Sequence, residues 1–134
     1  MKQILPLACL ALALSSCSKS SAAPDPKATL IGLWKLSSTT TVTAFKDGRP
    51  STTTTSPHSA DLSTVQFWED AAEYRTRGLV QYSGWYAFDG KTITYRGAYP
   101  PTHTVLTLTN NSLIMVDSSE SATTRAEHTS SYTR

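Results

Sequence analysis

Leu79-Val80-Gln81-Tyr82-Ser83-Gly84-Trp85-Tyr86-Ala87-Phe88-Asp89-Gly90-Lys91-Thr92-Ile93-Thr94-Tyr95 is the stretch on which the fold class turns. β-branched and aromatic residues dominate on both sides of Asp89-Gly90, and such residues fit a pleated, half-buried surface. Asp-Gly accepts the positive φ that a tight hairpin turn demands. The stretch therefore reads as two antiparallel strands. Alternation sends Tyr82, Tyr86 and Phe88 to one face and Trp85 to the other.

The same grammar extends in both directions. Upstream, a long run at 33–45 ends at Lys46-Asp47-Gly48-Arg49 and reverses into 50–57. Strands at 62–68 and 73–77 flank the turn Glu69-Asp70, and Gly78 punctuates the second. Downstream come 91–96, a wider loop at 97–101, a strand at 103–109, the turn Asn110-Asn111 and a strand at 112–117. A last strand is expected within 122–132, where the pattern is almost wholly polar. No stretch of ten or more residues carries the apolar spacing of an amphipathic helix. Eight or nine strands joined by short reversals form a meander, which removes its two exposed edges by closing on itself. The expected fold is all-β, a single antiparallel up-and-down barrel of about eight strands. A barrel of that size is just wide enough to be filled by side chains or to hold one small ligand.

The N-terminus carries a different signal. Lys2 precedes an apolar run from Ile4 to Leu14, which is shorter than the roughly 20 residues needed to span a bilayer. It reads as an export signal that is removed. Leu14-Ser15-Ser16-Cys17 resembles the bacterial lipobox: a branched apolar residue, two small residues and the cysteine that becomes lipidated. That resemblance implies cleavage before Cys17 and two or three acyl chains on it. Because each buried CH₂ contributes about 0.8 kcal/mol, such an anchor holds without a transmembrane helix. Cys9 lies too early, with Pro6 where the lipobox wants leucine. The expected organisation is a signal peptide at 1–16, the lipidated cysteine and a flexible linker at 17–28, and a barrel domain at 29–134. Ser18 rather than aspartate follows the cysteine; in lipoproteins of this kind that implies the outer membrane, here facing the periplasm.

Composition narrows the function classes. About 105 residues follow the tether, enough for one domain and one modest core. The net charge of +2 comes from singly scattered basic residues, not the clustered stripe that phosphate backbones require, so nucleic acid is not an expected partner. With Cys17 acylated, the domain has no thiol and no disulfide. Serine and threonine exceed a quarter of the chain, which suits strands with a polar exterior.

Against this frame, Gly32-Leu33-Trp34-Lys35-Leu36 resembles the Gly-x-Trp opening of lipocalins, and of the lipocalin-like domains on small bacterial lipoproteins. Val65-Gln66-Phe67, the stretch from Gly84 to Thr94 and the stretch from Leu106 to Met115 are similar to the strand-turn-strand grammar of that family. The resemblance implies a calycin-type barrel that binds a small apolar molecule. It also implies that Gly32 and Trp34 have a structural role at the barrel floor, where the tryptophan stacks on an arginine from near the last strand. Arg125 and Arg134 are both candidates for that partner.

His58, His103 and His128 lie in separate segments outside metal-ligand spacing. They are expected at the surface or at loop ends, with no metal or other cofactor. Glu69, Asp70 and Glu73 flank a turn, where acidic residues are routine, and no Gly-x-Ser-x-Gly elbow occurs. No catalytic grouping is expected, and the protein reads as a monomer and not an enzyme. The inward aromatics Phe67, Tyr74, Tyr82, Tyr86 and Phe88 are the expected lining of a pocket for a small hydrophobic or amphipathic ligand. The competing expectation is a filled barrel that serves as an envelope structural or protein-interaction module, working through its surface or the threonine-rich hairpin at 52–55.

Overall fold

The computed structural model describes residues 25–59, 62–98 and 102–134. The expected signal peptide, Cys17 and most of the linker lie outside the described residues. Nine strands follow one short helix: β1 (Gly32–Phe45), β2 (Thr52–Pro57), β3 (Ser63–Phe67), β4 (Ala71–Thr76), β5 (Leu79–Phe88), β6 (Thr92–Tyr95), β7 (Thr102–Leu108), β8 (Ser112–Glu120) and β9 (Thr124–Thr133). Each pairs antiparallel with its neighbour in a single sheet, and β9 returns to pair with β1 along most of its length. β1 and β3 to β9 thus form a closed eight-stranded up-and-down barrel.

β2 is the strand outside the ring. β1 is long enough to pair with β3 through Gly32 to Lys35 and with β2 through Ser38 to Thr43. Every residue of β2 is exposed, as its threonine-rich, apolar-free sequence requires. A bulge at Ser37 separates the two halves of β1. An added residue shifts the side-chain alternation by one. Trp34 and Leu36 point inward before the bulge, and Thr39 and Thr41 beyond it. Inward side chains on this upper half of β1 are therefore polar, whereas those below are apolar.

The core follows the sequence alternation closely. Val65 and Phe67 on β3, Ile93 and Tyr95 on β6, and Leu113 and Met115 on β8 are buried at alternate positions. Fully burying such a side chain contributes about 1.5–3 kcal/mol relative to leaving it in water.

The helix α1 (Pro26–Leu30) begins inside the stretch that the sequence assigned to the linker. Asp25 caps it by accepting from the Lys27 amide at 3.0 Å, and Pro26 occupies the first turn, where its missing N–H costs nothing. Five residues offer no apolar period to read. What holds them is tertiary: Leu30 is fully buried, and Lys27 reaches Glu69 at 3.2 Å and Asp70 at 3.5 Å on the β3–β4 turn. Pro26 and Thr29 also border Gly90 and Asn110 of two further turns. α1 therefore lies across one end of the barrel.

Candidate functional site

The end closed by α1 is built around Trp34. Its ring is fully buried, and its indole N–H donates to Leu30 O at 2.8 Å. Arg134 lies over the ring, with its guanidinium carbon 4.1 Å from the centroid, while Nη2 donates to Thr29 O and to Ile31 O at 2.7 Å each. Carbonyls at the end of α1, which have no partner within the helix, are thus satisfied by side chains. Arg125, the other candidate, pairs with Glu120 and Ala44 across the far half of the sheet. Gly32 has a φ of +137°, and a Cβ there would come within 3.1 Å of the Arg134 guanidinium. The glycine two residues before the tryptophan is what lets the arginine approach.

The opposite end opens into a pocket of about 410 Å³, lined in part by Leu36, Tyr74, Tyr82, Ala98, His103 and Tyr132. That volume falls within the range of small-molecule sites, roughly 300–1,000 Å³. A larger depression of about 520 Å³ lies beside α1, lined in part by Val105 and Leu108, and another of about 670 Å³ lies on the outer wall beside Trp85. The pocket at the open end combines aromatic and polar groups from several strands.

Tyr74 is the hub of this cluster. Its hydroxyl shares a hydrogen bond of 2.5 Å with that of Tyr95, its ring meets Tyr95 edge-on at 5.7 Å, and it stacks at 6.4 Å on His103. His103 Nε2 lies 3.3 Å from Asp117 Oδ2 on the adjacent strand, both side chains being largely buried. His103 Nδ1 is buried without a hydrogen-bond partner among the described residues. A buried polar atom left unpaired costs about 1–3 kcal/mol. Tyr82 completes the rim: its hydroxyl is 3.1 Å from both Trp85 O and Arg96 O, to either of which it donates. The ring crosses Gly84 so closely that a Cβ there would meet the hydroxyl at 2.6 Å.

Burial holds the phenols of Tyr74, Tyr95 and Tyr132 neutral. It pushes Tyr74 and Tyr95 well above the ordinary tyrosine range and Tyr132 up to about 12. At any physiological pH the pocket therefore presents hydroxyl donors and acceptors, not phenolates. Beyond it, the polar inner face of β1 and β9 continues the wall. His128 bridges Thr41 Oγ1 at 3.1 Å and Ser119 Oγ at 3.3 Å, and His58 meets Thr39 Oγ1 at 2.9 Å.

Of the aromatics expected to line a pocket, the structure brings Tyr74 and Tyr82 together there. Phe67 is fully buried and meets Tyr86 edge-on at 5.1 Å in the filled half of the barrel, and the Tyr86 hydroxyl donates to Trp68 O at 2.7 Å. Phe88 borders a depression near the start of α1. Leu36, His103, Asp117 and Tyr132 escaped the sequence reading. His103 was expected at a surface or loop end; it turns inward because it pairs with Ile93 across β6 and β7. The signal available was parity with Val105 on the same strand. Among the described residues, no group of three or more His, Cys, Asp or Glu side chains is placed to hold a metal, and no helix is long and apolar enough to cross a membrane.

No protein-family model matches the chain, nor does any curated protein or solved structure. The fold therefore defines the class by itself: a small, closed, antiparallel eight-stranded up-and-down β-barrel, consistent with a calycin-like fold.

Proposed function

We propose that this protein is a lipocalin-like lipoprotein of a bacterial envelope, held by acyl chains on Cys17 at the outer membrane facing the periplasm, whose barrel mouth binds a small amphipathic molecule. One observation carries the binding reading: a pocket of about 410 Å³ at the open end of the barrel, lined by apolar and polar side chains that include Leu36, Tyr74, Tyr82, His103 and Tyr132. Leu36 and the tyrosine rings offer apolar contact, while the phenol groups, Ser63, Thr64 and Gln81 offer hydrogen-bonding atoms. That mixture suits a ligand with an apolar body and at least one polar group, bound without covalent chemistry. The lipocalin-like reading is supported by Gly32, Trp34 and Arg134, which meet as the family resemblance implies.

The test is native mass spectrometry of protein isolated from membranes, followed by titration with 1-anilinonaphthalene-8-sulfonate. A co-purified small molecule and saturable probe binding, weakened about tenfold by His103→Ala, are expected; tenfold corresponds to about 1.4 kcal/mol. Absence of any bound molecule, with probe binding the same in both proteins, overturns the reading.

A second reading rests on β2, which has β1 as its only strand partner among the described residues. An unpaired strand edge is a template for a partner's strand. A protein-interaction role predicts that a proline at Thr54 abolishes partner capture and leaves probe binding intact.

A further inference from the structure

Trp68 and Trp85 are 46% and 64% exposed on the outer wall. They belong to one lateral row. The Trp68 amide donates to Ala71 O at 2.8 Å, Ala71 pairs with Trp85, and the Arg96 amide donates to Trp85 O at 3.0 Å. Phe67 and Ala72, one step along, are buried, so alternation sets this row outward. With only alanine between them, the two indoles flank an open apolar strip that ends at an exposed arginine.

The row starts where the tether leaves. Glu69 and Asp70, the two residues between Trp68 and Ala71, hold Lys27 on the first turn of α1. From Asp25 back to Cys17 is eight residues, a reach of less than about 30 Å even fully extended. Lipidated at Cys17, the chain holds this part of the barrel within that distance of the bilayer. Indole rings concentrate at membrane–water interfaces because one edge is apolar and the N–H is wet, and arginine extends to phosphates while its stem lies on apolar surface.

We propose that the Trp68–Ala71–Trp85 row, with Arg96 at its end, seats the barrel on the phospholipid headgroup region. This rests on the lipid-anchor reading of Cys17 and goes beyond it, because the tether alone does not orient the domain.

The test uses protein isolated from membranes with its natural N-terminus and reconstituted in phosphatidylethanolamine–phosphatidylglycerol vesicles, with or without bromine on the acyl chains. Flotation reads the anchor; bromine quenching of tryptophan emission reads the seat, with buried Trp34 as the bright internal reference. Quenching is expected, and Trp68→Ser/Trp85→Ser should abolish it while the protein still floats and keeps its circular dichroism. Floating protein whose emission ignores bromine sinks the seat and leaves the anchor standing. A chain that neither floats nor is quenched sinks both. Quenching without acylation keeps the seat and removes the anchor. A dimer in solution that the double substitution dissolves assigns the row to a second copy and overturns the lipid reading.

Discussion

The Arg134 guanidinium carbon lies over the Trp34 ring, 4.1 Å from its centroid, tying the last strand to the first at the closed end of the barrel. Because the same Nη2 also binds Thr29 O and Ile31 O, one side chain joins β1, β9 and α1. Arg134→Ala should cost about 2–3 kcal/mol, the sum of a cation–π contact and charge-assisted hydrogen bonds. Arg134→Lys should recover less than half, because an ammonium lacks the planar fork. Arg125→Ala, at an exposed site, should stay within about 0.5 kcal/mol. Urea unfolding of the three variants checks the order.

Gly84 predicts the state of the pocket rim. A methyl group there meets Tyr82 at its hydroxyl and ring carbon, at 2.6 and 2.9 Å, so Gly84→Ala must swing the ring away. Overpacking of this kind costs about 1–3 kcal/mol. Probe affinity should fall with it, while Tyr82→Phe, which keeps the ring in place, should weaken binding less. Equal losses in the two variants would show that ring position is irrelevant.

Alkaline stability follows from the buried phenols. Burial raises Tyr132 to about 12 in the folded protein, against about 10 in an unfolded chain. The fold therefore retains the proton more tightly, and its contribution is complete below pH 10 and disappears as pH rises through about 12. Tyr74 and Tyr95 shift the same way for the same reason. The phenolates of Tyr74, Tyr95 and Tyr132 should appear only together with loss of near-ultraviolet dichroism. Buried tyrosines that titrate reversibly near pH 10 with the fold intact would contradict the packing.

The pair Tyr74–Tyr95 separates stability from binding. Tyr95→Phe removes one hydroxyl from a 2.5 Å hydrogen bond deep in the cluster and should cost about 1 kcal/mol. Because Tyr95 does not line the pocket, probe affinity should change less than twofold in the folded variant; isothermal titration checks it.

Much of the fold was legible because strand alternation and turn chemistry are local. The Asp89-Gly90 hairpin, the Glu69-Asp70 turn and the inward parity of Tyr82, Tyr86 and Phe88 can be read from residues a few positions apart. β9 was harder: its partners on β1 and β8 are themselves polar beyond the bulge, so no apolar period marks it. α1 was missed because Leu30 and Lys27 find their partners far along the chain. The pocket was half legible. Tyr74 and Tyr82 carry an aromatic signal, but which aromatics line space and which fill it depends on height in the barrel.

The sequence by itself determined that this chain folds as a rolled antiparallel sheet, because period-two patterning and turn residues act over short range. Only the tertiary structure decided that β2 stands outside the ring, that Arg134 rather than Arg125 covers Trp34, and that His103 faces inward beside Asp117. Those outcomes depend on strand register and on where a single bulge falls in β1. Register is fixed by pairing between residues as far apart as Leu36 and Tyr132, a distance across which local composition carries no instruction.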